Sequence, residues 1–452
     1  MTPVRARILL VALVAALTIS AVASGEERYR PPELGPDYVA PRVDWPAGRA
    51  AWQQWADLAA LAAALLAASY LALRARSRAM LTALMLLSLA YFGFWRGGCV
   101  CPIGAIQDVA AALADPARAI PLAVLATFLL PVAFALATGR TFCAAVCPLG
   151  AVQDLLAVRP VRVPRWLEHA LGLLAYAYLG AAVLLAALGA AYLICQYDPF
   201  VALFRLAPWG AWARGGDAAG RVDLLLLPAA LIAVGLFVAR PYCRFLCPLG
   251  AIFRLLGPLS WRHVTITPGE CIRCRLCENA CPFGAIEPPT GDRPGDLRRD
   301  RRRLGAALAL LPALAVLGAL GGWAVRNELS RAHPSVRLAE RVRLEETGQA
   351  QGTTDASDAF YQTRRPRADL YAEASTLRAR FAVGGAILGA FLGLVVGAKL
   401  VSLSLRPSRS GYEPHRGRCL SCGRCFAFCP VERKRRGLPP KPPPGKNGTP
   451  DA

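Results

Sequence analysis

Two cysteine runs stand in the second half of the chain: Cys271-x2-Cys274-x2-Cys277-x3-Cys281-Pro282 and Cys419-x2-Cys422-x2-Cys425-x3-Cys429-Pro430. Few chemistries use this spacing. In bacterial ferredoxins three closely spaced thiolates wrap one corner of a [4Fe-4S] cluster, and the fourth, followed by proline, ligates the neighbouring cluster. The pattern therefore predicts two clusters, one on Cys271, Cys274, Cys277 and Cys429, the other on Cys419, Cys422, Cys425 and Cys281. A zinc ribbon or a disulfide framework is the competing reading. Zinc usually takes two separated cysteine pairs, not three thiols and a Cys-Pro.

Seven further thiols fall in apolar surroundings. The segments CVCPIGAIQDV, CAAVCPLGAVQDL and CRFLCPLGAIFRL form an internal repeat that contributes Cys99 and Cys101, Cys143 and Cys147, and Cys243 and Cys247; the last thiol, Cys195, precedes Gln196-Tyr197-Asp198-Pro199-Phe200. In Cys-x3-Cys a helical turn brings two thiols toward one centre, and the Pro and Gly then redirect the chain. Cys143, Cys147, Cys243 and Cys247 together supply the ligand complement of a third [4Fe-4S] cluster; the bland alternative is that they are small buried core residues. Cys99, Cys101 and Cys195 lack a fourth thiol. They are read either as an outer iron site, completed by Asp198, water or a partner, or as a disulfide or inert thiols. No Cys-x-x-Cys-His motif is present, and His169, His263, His333 and His415 are too scattered to point to haem.

These thiols need elements to hold them. Of the 452 residues, 55% are hydrophobic, and several runs reach the roughly 20 apolar residues that cross a bilayer. Spans are expected near 56–73, 80–95, 119–138, 167–194, 223–240, 304–325 and 381–403. Residues 8–24, after Arg5 and Arg7, read as a signal peptide or an uncleaved anchor. The net charge of +22 lies partly in Arg298 to Arg303 and in the tail from Arg406. Beside spans, this is the positive-inside signature rather than a nucleic-acid surface. With the ferredoxin runs cytoplasmic, parity puts Cys143, Cys147, Cys243 and Cys247 on the same side. It puts Cys99, Cys101, Cys195 and the segment 326–379 on the other. The short apolar helices after each Cys-Pro element are expected along the membrane surface.

With these residues in view, the chain resembles the NosR/NapH group of membrane polyferredoxins. FCAAVCPLGAVQDL and YCRFLCPLGAIFRL resemble the group's paired Cys-x3-Cys-Pro elements, CIRCRLCENACPFGAI and CLSCGRCFAFCPVER its ferredoxin runs, and QYDPF its extracytoplasmic loop. The resemblance covers roughly residues 55–290 and the second run. It implies transmembrane electron transfer from quinol or a cytoplasmic donor to an exported reductase or maturation system. Three features depart from the group. About 30 residues, 25–54, precede the first span, too few for the flavin-binding domain of NosR-type proteins, so a covalent flavin is not expected here. A two-span insert separates the ferredoxin runs, and Cys99 and Cys101 are not general to the group.

The reading that follows is an all-α, multi-pass protein of the bacterial inner (plasma) membrane. It has about seven spans plus the N-terminal signal or anchor, and a cytoplasmic 2[4Fe-4S] ferredoxin module formed by two separated segments. Its divisions are 1–24 (signal or anchor), 25–54 (extracytoplasmic), 55–260 (membrane core with the Cys-Pro elements), 261–303 (first ferredoxin run), 304–403 (two-span insert), 404–435 (second run) and 436–452 (disordered tail). Its partners are membrane lipid, quinol or a cytoplasmic redox donor, and an extracytoplasmic reductase or flavoprotein. No nucleophile–base pair or open zinc site is apparent, so the chain is read as an electron carrier or a subunit of an oxidoreductase complex. One alternative is a redox accessory or regulatory protein for maturation of an exported metalloenzyme. Another is a transporter with sensory clusters, which the spans do not favour: Asp57 and Lys399, their ionisable residues, lie near the ends.

Overall fold

The computed structural model describes residues 50–98, 100–115, 118, 120–158, 160–198, 204, 223–266, 271–290, 297–363, 365–405 and 409–441. The expected leader 8–24, nearly all of the segment 25–54, Cys99 and most of the tail beyond 436 lie outside these residues. The described chain is helical, with one two-residue strand pair. Five helices are long and apolar enough to cross a membrane: Ala51–Ala75, Arg78–Trp95, Arg165–Ala187, Asp300–Ala324 and Arg367–Ser404. Two other expected spans correspond to shorter helices, Leu122–Thr138 of 17 residues and Asp223–Gly235 of 13. At about 1.5 Å per residue the first reaches about 25 Å. The first is helical to Thr138, the end of its expected span, where Gly139 (φ 75°) stops it; the second gives way at 236–240 to turns and bends that lead to Arg240 (φ 51°), so apolar sequence overcounts helix there.

The short apolar helices after the Cys-Pro elements are core elements, not surface ones. In Pro148–Leu156 the residues Leu149 to Gln153 are buried, and in Pro248–Leu256 Phe253 is fully enclosed. Leu61, Leu65, Phe142, Leu149 and Phe253 share one continuous core with Cys281, Phe283, Cys422 and Cys425. The ferredoxin segments are thus packed onto the helical bundle rather than tethered beside it. They are joined to each other by the antiparallel pair Ile286–Glu287 and Glu413–Pro414, and the His415 amide donates to the Ala285 carbonyl at 2.8 Å.

The insert between the runs is a close helical hairpin. Gly318 and Gly322 face Gly385, Gly389 and Gly393, and a Cβ on Gly322 would overlap the Gly385 carbonyl. This four-residue spacing of glycines is how apolar helices approach when lipid offers no hydrophobic drive. Beyond the hairpin, Val336, Ala339, Val342, Phe360, Leu370 and Ala374 form a separate small core. Residues 326–379 are therefore a compact helical cap, with Thr354 and Ser357 making a capping box at the last turn-in.

Candidate thiol sites and their surroundings

Each ferredoxin run bends around its first three thiols by left-handed residues at equivalent places. Arg273 (φ 54°) and Arg275 (φ 63°) do this in the first run, Ser421 (φ 54°) and Gly423 (φ 77°) in the second. Alternating right- and left-handed residues turn backbone N–H groups inward, the concave arrangement that suits anionic iron–sulfur sites. In the second run the Ser421 amide lies 3.4 Å from the Cys419 sulfur. Cys271, Cys274 and Cys277 line one cavity together with Cys429 from the other run. Cys281, conversely, lies among Cys419, Cys422 and Cys425. Both groups that the spacing pairs across the insert are therefore brought together. Burial above all, with the neighbouring Cys274, Cys429 and Cys271, pushes the Cys277 thiol up to about 12 against its hydrogen bond with the chain at Glu278. Without positive charge among them, such thiols stay protonated; a coordinated metal deprotonates them.

The second gathering comes from two short helices that follow different long ones. Cys143 lies in Thr141–Ala145 and Cys243 in Pro241–Phe245. Cys147 and Cys247 then act as N-caps of helices that begin at Pro148 and Pro248. Proline at the first helical position costs no hydrogen bond, so it restarts the helix after the cysteine rather than only breaking it. The four thiols line a single cavity with Ile103, Phe142 and Leu249. The Gly250 amide lies 3.3 Å from the Cys247 sulfur. Gln153 clamps the pair from the side: its amide donates to the Cys243 sulfur at 3.1 Å and accepts from the Tyr242 N–H at 3.0 Å.

Buried arginines separate and connect these groups. Arg240 meets Asp154 with two contacts, Nε at 2.9 Å and Nη2 at 2.7 Å, and Nη1 donates to the Cys143 carbonyl. Arg78 and Arg424 approach the same carboxylate at 3.8 and 4.0 Å, and Arg78 also donates to the Cys422 carbonyl at 2.9 Å. Burial alone would raise the Asp154 carboxyl; the Arg240 guanidinium instead holds it at about 2. Arg140 bridges from the Cys143 sulfur (3.9 Å) to the Gly417 carbonyl (3.1 Å). Arg244 pairs with Glu168 at 3.3 Å. Arg140 Nε, Arg244 Nη1 and Arg424 Nε are buried donors without a hydrogen-bond acceptor among the described residues. Unmet cationic donors beside clustered thiols fit an anionic thiolate–iron–sulfur complex, whose potential depends on such hydrogen bonds and charge.

No three His, Cys, Asp or Glu side chains among the described residues lie close enough to share one metal ion. A tetrahedral zinc site, with Zn–S near 2.3 Å, would hold its sulfurs about 3.8 Å apart. His333 caps a helix by accepting from Ser335, and His415 accepts from the Gly417 amide, which accounts for both without a metal.

Cys101 is half-buried and Cys195 exposed. Parity assigns them to the face opposite the other described thiols. Yet Ile103, two residues from Cys101, lines the Cys143/Cys147/Cys243/Cys247 cavity. Their separation is a few side chains rather than a full bilayer, because the Cys-Pro segments turn back into the core. Gln107, Gln153, Asp154, Arg140 and Arg240 were not singled out from sequence; the repeated Gln-Asp six and seven residues after Cys101 and Cys147 is the signal that marks three of them.

Comparison with known proteins agrees with this division. Three stretches, 79–121, 120–173 and 221–266, match one family described as a 4Fe-4S binding domain, so each Cys-Pro element falls in its own copy. Residues 264–287 and 416–432 match two further 4Fe-4S binding domains. Among curated relatives, the protein NirI of Paracoccus denitrificans is 33% identical over 136 residues, 29% of this chain and 18% of NirI. The regulatory protein NosR of Pseudomonas aeruginosa is 40% identical over 60 residues, 13% of this chain and 8% of NosR. Formate hydrogenlyase subunit 2 of Escherichia coli is 44% identical over 55 residues, 12% of this chain and 24% of that subunit. The chain thus spans less than a third of each of these relatives. No solved structure matches it.

Proposed function

We propose that this chain is a membrane polyferredoxin of the NosR/NapH type, which its 4Fe-4S domain matches and its likeness to NirI and NosR support, and that it relays electrons between quinol or a cytoplasmic donor and an extracytoplasmic reductase or flavoprotein. Its iron–sulfur domains and relatives support the coarser role of iron–sulfur electron transfer or redox assistance. In the finer reading one [4Fe-4S] cluster sits on Cys271, Cys274, Cys277 and Cys429, a second on Cys419, Cys422, Cys425 and Cys281, and a third on Cys143, Cys147, Cys243 and Cys247. The ferredoxin segments face the cytoplasm of a bacterial inner membrane, and about seven spans, the shorter helices included, carry the chain across. When bound, such clusters each take up and release one electron with little change of shape.

The observation that carries the reading is the adjacency of the three thiol groups. Cys277 belongs to the first and lies within electrostatic reach of Cys425 in the second. Arg140 and the Asp154–Arg240 pair connect the second to the third. The protein's own part is to hold the thiols, exclude water and place guanidinium groups where thiolate charge gathers. That buried positive charge lowers the cost of adding an electron.

Anaerobic iron and sulfide analysis with EPR of the purified membrane protein tests this. At least about twelve irons per chain are expected, four from each of three cubes; zinc in place of iron would end the reading. Cys281→Ser is expected to alter the signal of the cluster held by Cys419, Cys422 and Cys425. A change confined to the Cys271/Cys274/Cys277 signal would contradict the exchange of ligands. A second reading, a redox accessory in maturation of an exported metalloenzyme, draws on the regulatory title carried by NosR. It expects cluster reduction without sustained turnover by quinol.

A further inference from the structure

The Cys243 half of the third thiol group has a second copy in the fold. Gln107 stands to Cys195 as Gln153 stands to Cys243. The Gln107 amide donates to the Cys195 sulfur at 3.4 Å and accepts from the Ile194 N–H at 2.7 Å. The Gln153 contacts are 3.1 Å to the sulfur and 3.0 Å from the N–H of the residue before the cysteine. Each cysteine is the third residue of a short helix, Leu193–Gln196 or Pro241–Phe245. The correspondence extends outward. Asp154 meets Arg240, three residues before Cys243; Asp108 lies beside Tyr192, three residues before Cys195. On the facing side, the Gly104 amide lies 3.5 Å from the Cys101 sulfur, as the Gly250 amide lies 3.3 Å from that of Cys247.

Sequence completes the parallel. Cys101, Cys147 and Cys247 each directly precede a proline; after Cys195 the residue in that place is Asp198, before Pro199. Asp198 is within electrostatic reach of Cys101. Gly104 leaves the space: a Cβ there would sit 3.3 Å from the Cys195 sulfur. The first 4Fe-4S domain match, 79–121, contains Cys101 and Gln107 although no cysteine quartet is evident there.

The geometry points to a second iron–sulfur site inside the helical core, a [4Fe-4S] cluster ligated by the thiolates of Cys101 and Cys195 and the carboxylate of Asp198. It is built on the template that holds Cys147, Cys243 and Cys247, and Gln107 is its positioning residue. Carboxylate is a harder ligand than thiolate for iron, so the cluster on this site differs spectroscopically from three all-cysteine ones. Tyr178 and Tyr242 lie between the two sites, each within electrostatic reach of Asp198 and of Cys247. With the exposed Cys195 at its edge, the site extends the relay by one step: one electron enters from the neighbouring group and one leaves, with no bond made or broken. This inference rests on the relay proposed above.

The test uses the full-length protein, purified anaerobically in detergent, with iron, sulfide and EPR spectra measured per chain. Cys101→Ser combined with Cys195→Ser is expected to lose about four irons and one EPR signal, leaving the other signals in place. Cys243→Ser, measured in parallel, separates the two ideas. If Cys243→Ser removes iron and the double variant removes none, the second site is overturned while the relay stands. If neither removes iron, the relay itself fails. Asp198→Cys covers the case in which the double variant does not accumulate. It is expected to keep full iron content, shift the g values of one signal toward those of the all-cysteine clusters, and slow iron loss to a chelator. An unchanged spectrum in Asp198→Cys overturns the site, as does a Cys101–Cys195 disulfide found by mass spectrometry in iron-replete protein.

Discussion

In the ferredoxin runs, three of every four thiols lie within one short loop bent by left-handed residues, and Cys271 and Cys274 are exposed. In the Cys-Pro core, two pairs are delivered by short helices that follow different long ones, and Cys147, Cys243 and Cys247 are buried. The loops are bent locally; the first run meets solvent at Cys271 and Cys274, where a redox partner can approach, whereas Cys422, Cys425 and Cys429 of the second are buried. The core site exists only when several helices have packed, so its ligands are also structural residues. In the proposed relay, the same ligand chemistry would serve two roles, contact with a partner at the edge and transfer within the fold.

The largest expected effect breaks the two regions apart. Cys243→Ser should remove about four irons and lower the melting temperature, because serine in that core leaves a polar group facing the Gln153 clamp without a metal. Cys274→Ser, on an exposed loop, should change one EPR signal while the protein melts near the wild-type temperature. Equal melting losses in both variants would erase the distinction between local and tertiary specification.

The next effect tests the link between the regions. Asp154 holds Arg240 in the core and draws in Arg424 from the second run and Arg78, which also donates to the Cys422 carbonyl. Removing one partner of a buried pair typically costs about 3–5 kcal/mol, so Asp154→Ala should destabilise the bundle and speed iron loss from both regions. Arg424→Met should affect the ferredoxin side alone. The pair's pH behaviour follows from its sign. The folded carboxyl sits at about 2, below its ordinary 3.8, so its contribution is complete above about 3.8 and is lost as pH falls through about 2. Iron loss between pH 8 and 5 should therefore be the same in wild type and in Asp154→Asn when each is scaled to its own value at pH 8. A divergence in that window would give the pair a different protonation state.

How much of this was legible beforehand depended on whether the signal was local. Cys271 to Cys281 and Cys419 to Cys429 announce themselves by spacing, and the geometry gathers both groups as that spacing pairs them. The three Cys-Pro elements read correctly as a repeat, since ligand, proline and glycine recur at fixed offsets. Apolar length was a poorer guide at 223–240, which satisfies a hydropathy window but ends in turns and bends over 236–240. Gln107, Gln153, Arg140 and Arg240 were opaque because their meaning lies in contacts across 87, 90, 277 and 86 positions of sequence. Net charge reads from sequence as topology, yet part of the arginine excess, Arg140, Arg240 and Arg244, is buried among thiols.

The smallest expected effect concerns the loop bends themselves. Gly423 adopts φ 77°, and a Cβ there would lie 2.6 Å from the Phe426 ring. Gly423→Ala therefore combines left-handed strain of about 1–2 kcal/mol with displacement of a buried aromatic. Ser421, at φ 54° in the same loop, has the opposite balance. Ser421→Gly removes that strain, but glycine's extra freedom in the unfolded chain returns about 0.4–1 kcal/mol, so the net gain is between about 0 and about 1.6 kcal/mol. The Ser421 amide that lies beside the Cys419 sulfur is a backbone group and survives the change. Under anaerobic chelation followed by EPR, Gly423→Ala should release the Cys419/Cys422/Cys425 cluster several-fold faster, and Ser421→Gly should release it at the wild-type rate or slightly slower. The Cys143/Cys243 signal should not respond to either. If it did, the loop would not be a locally specified site, and the contrast between the two regions would fail at its simplest point.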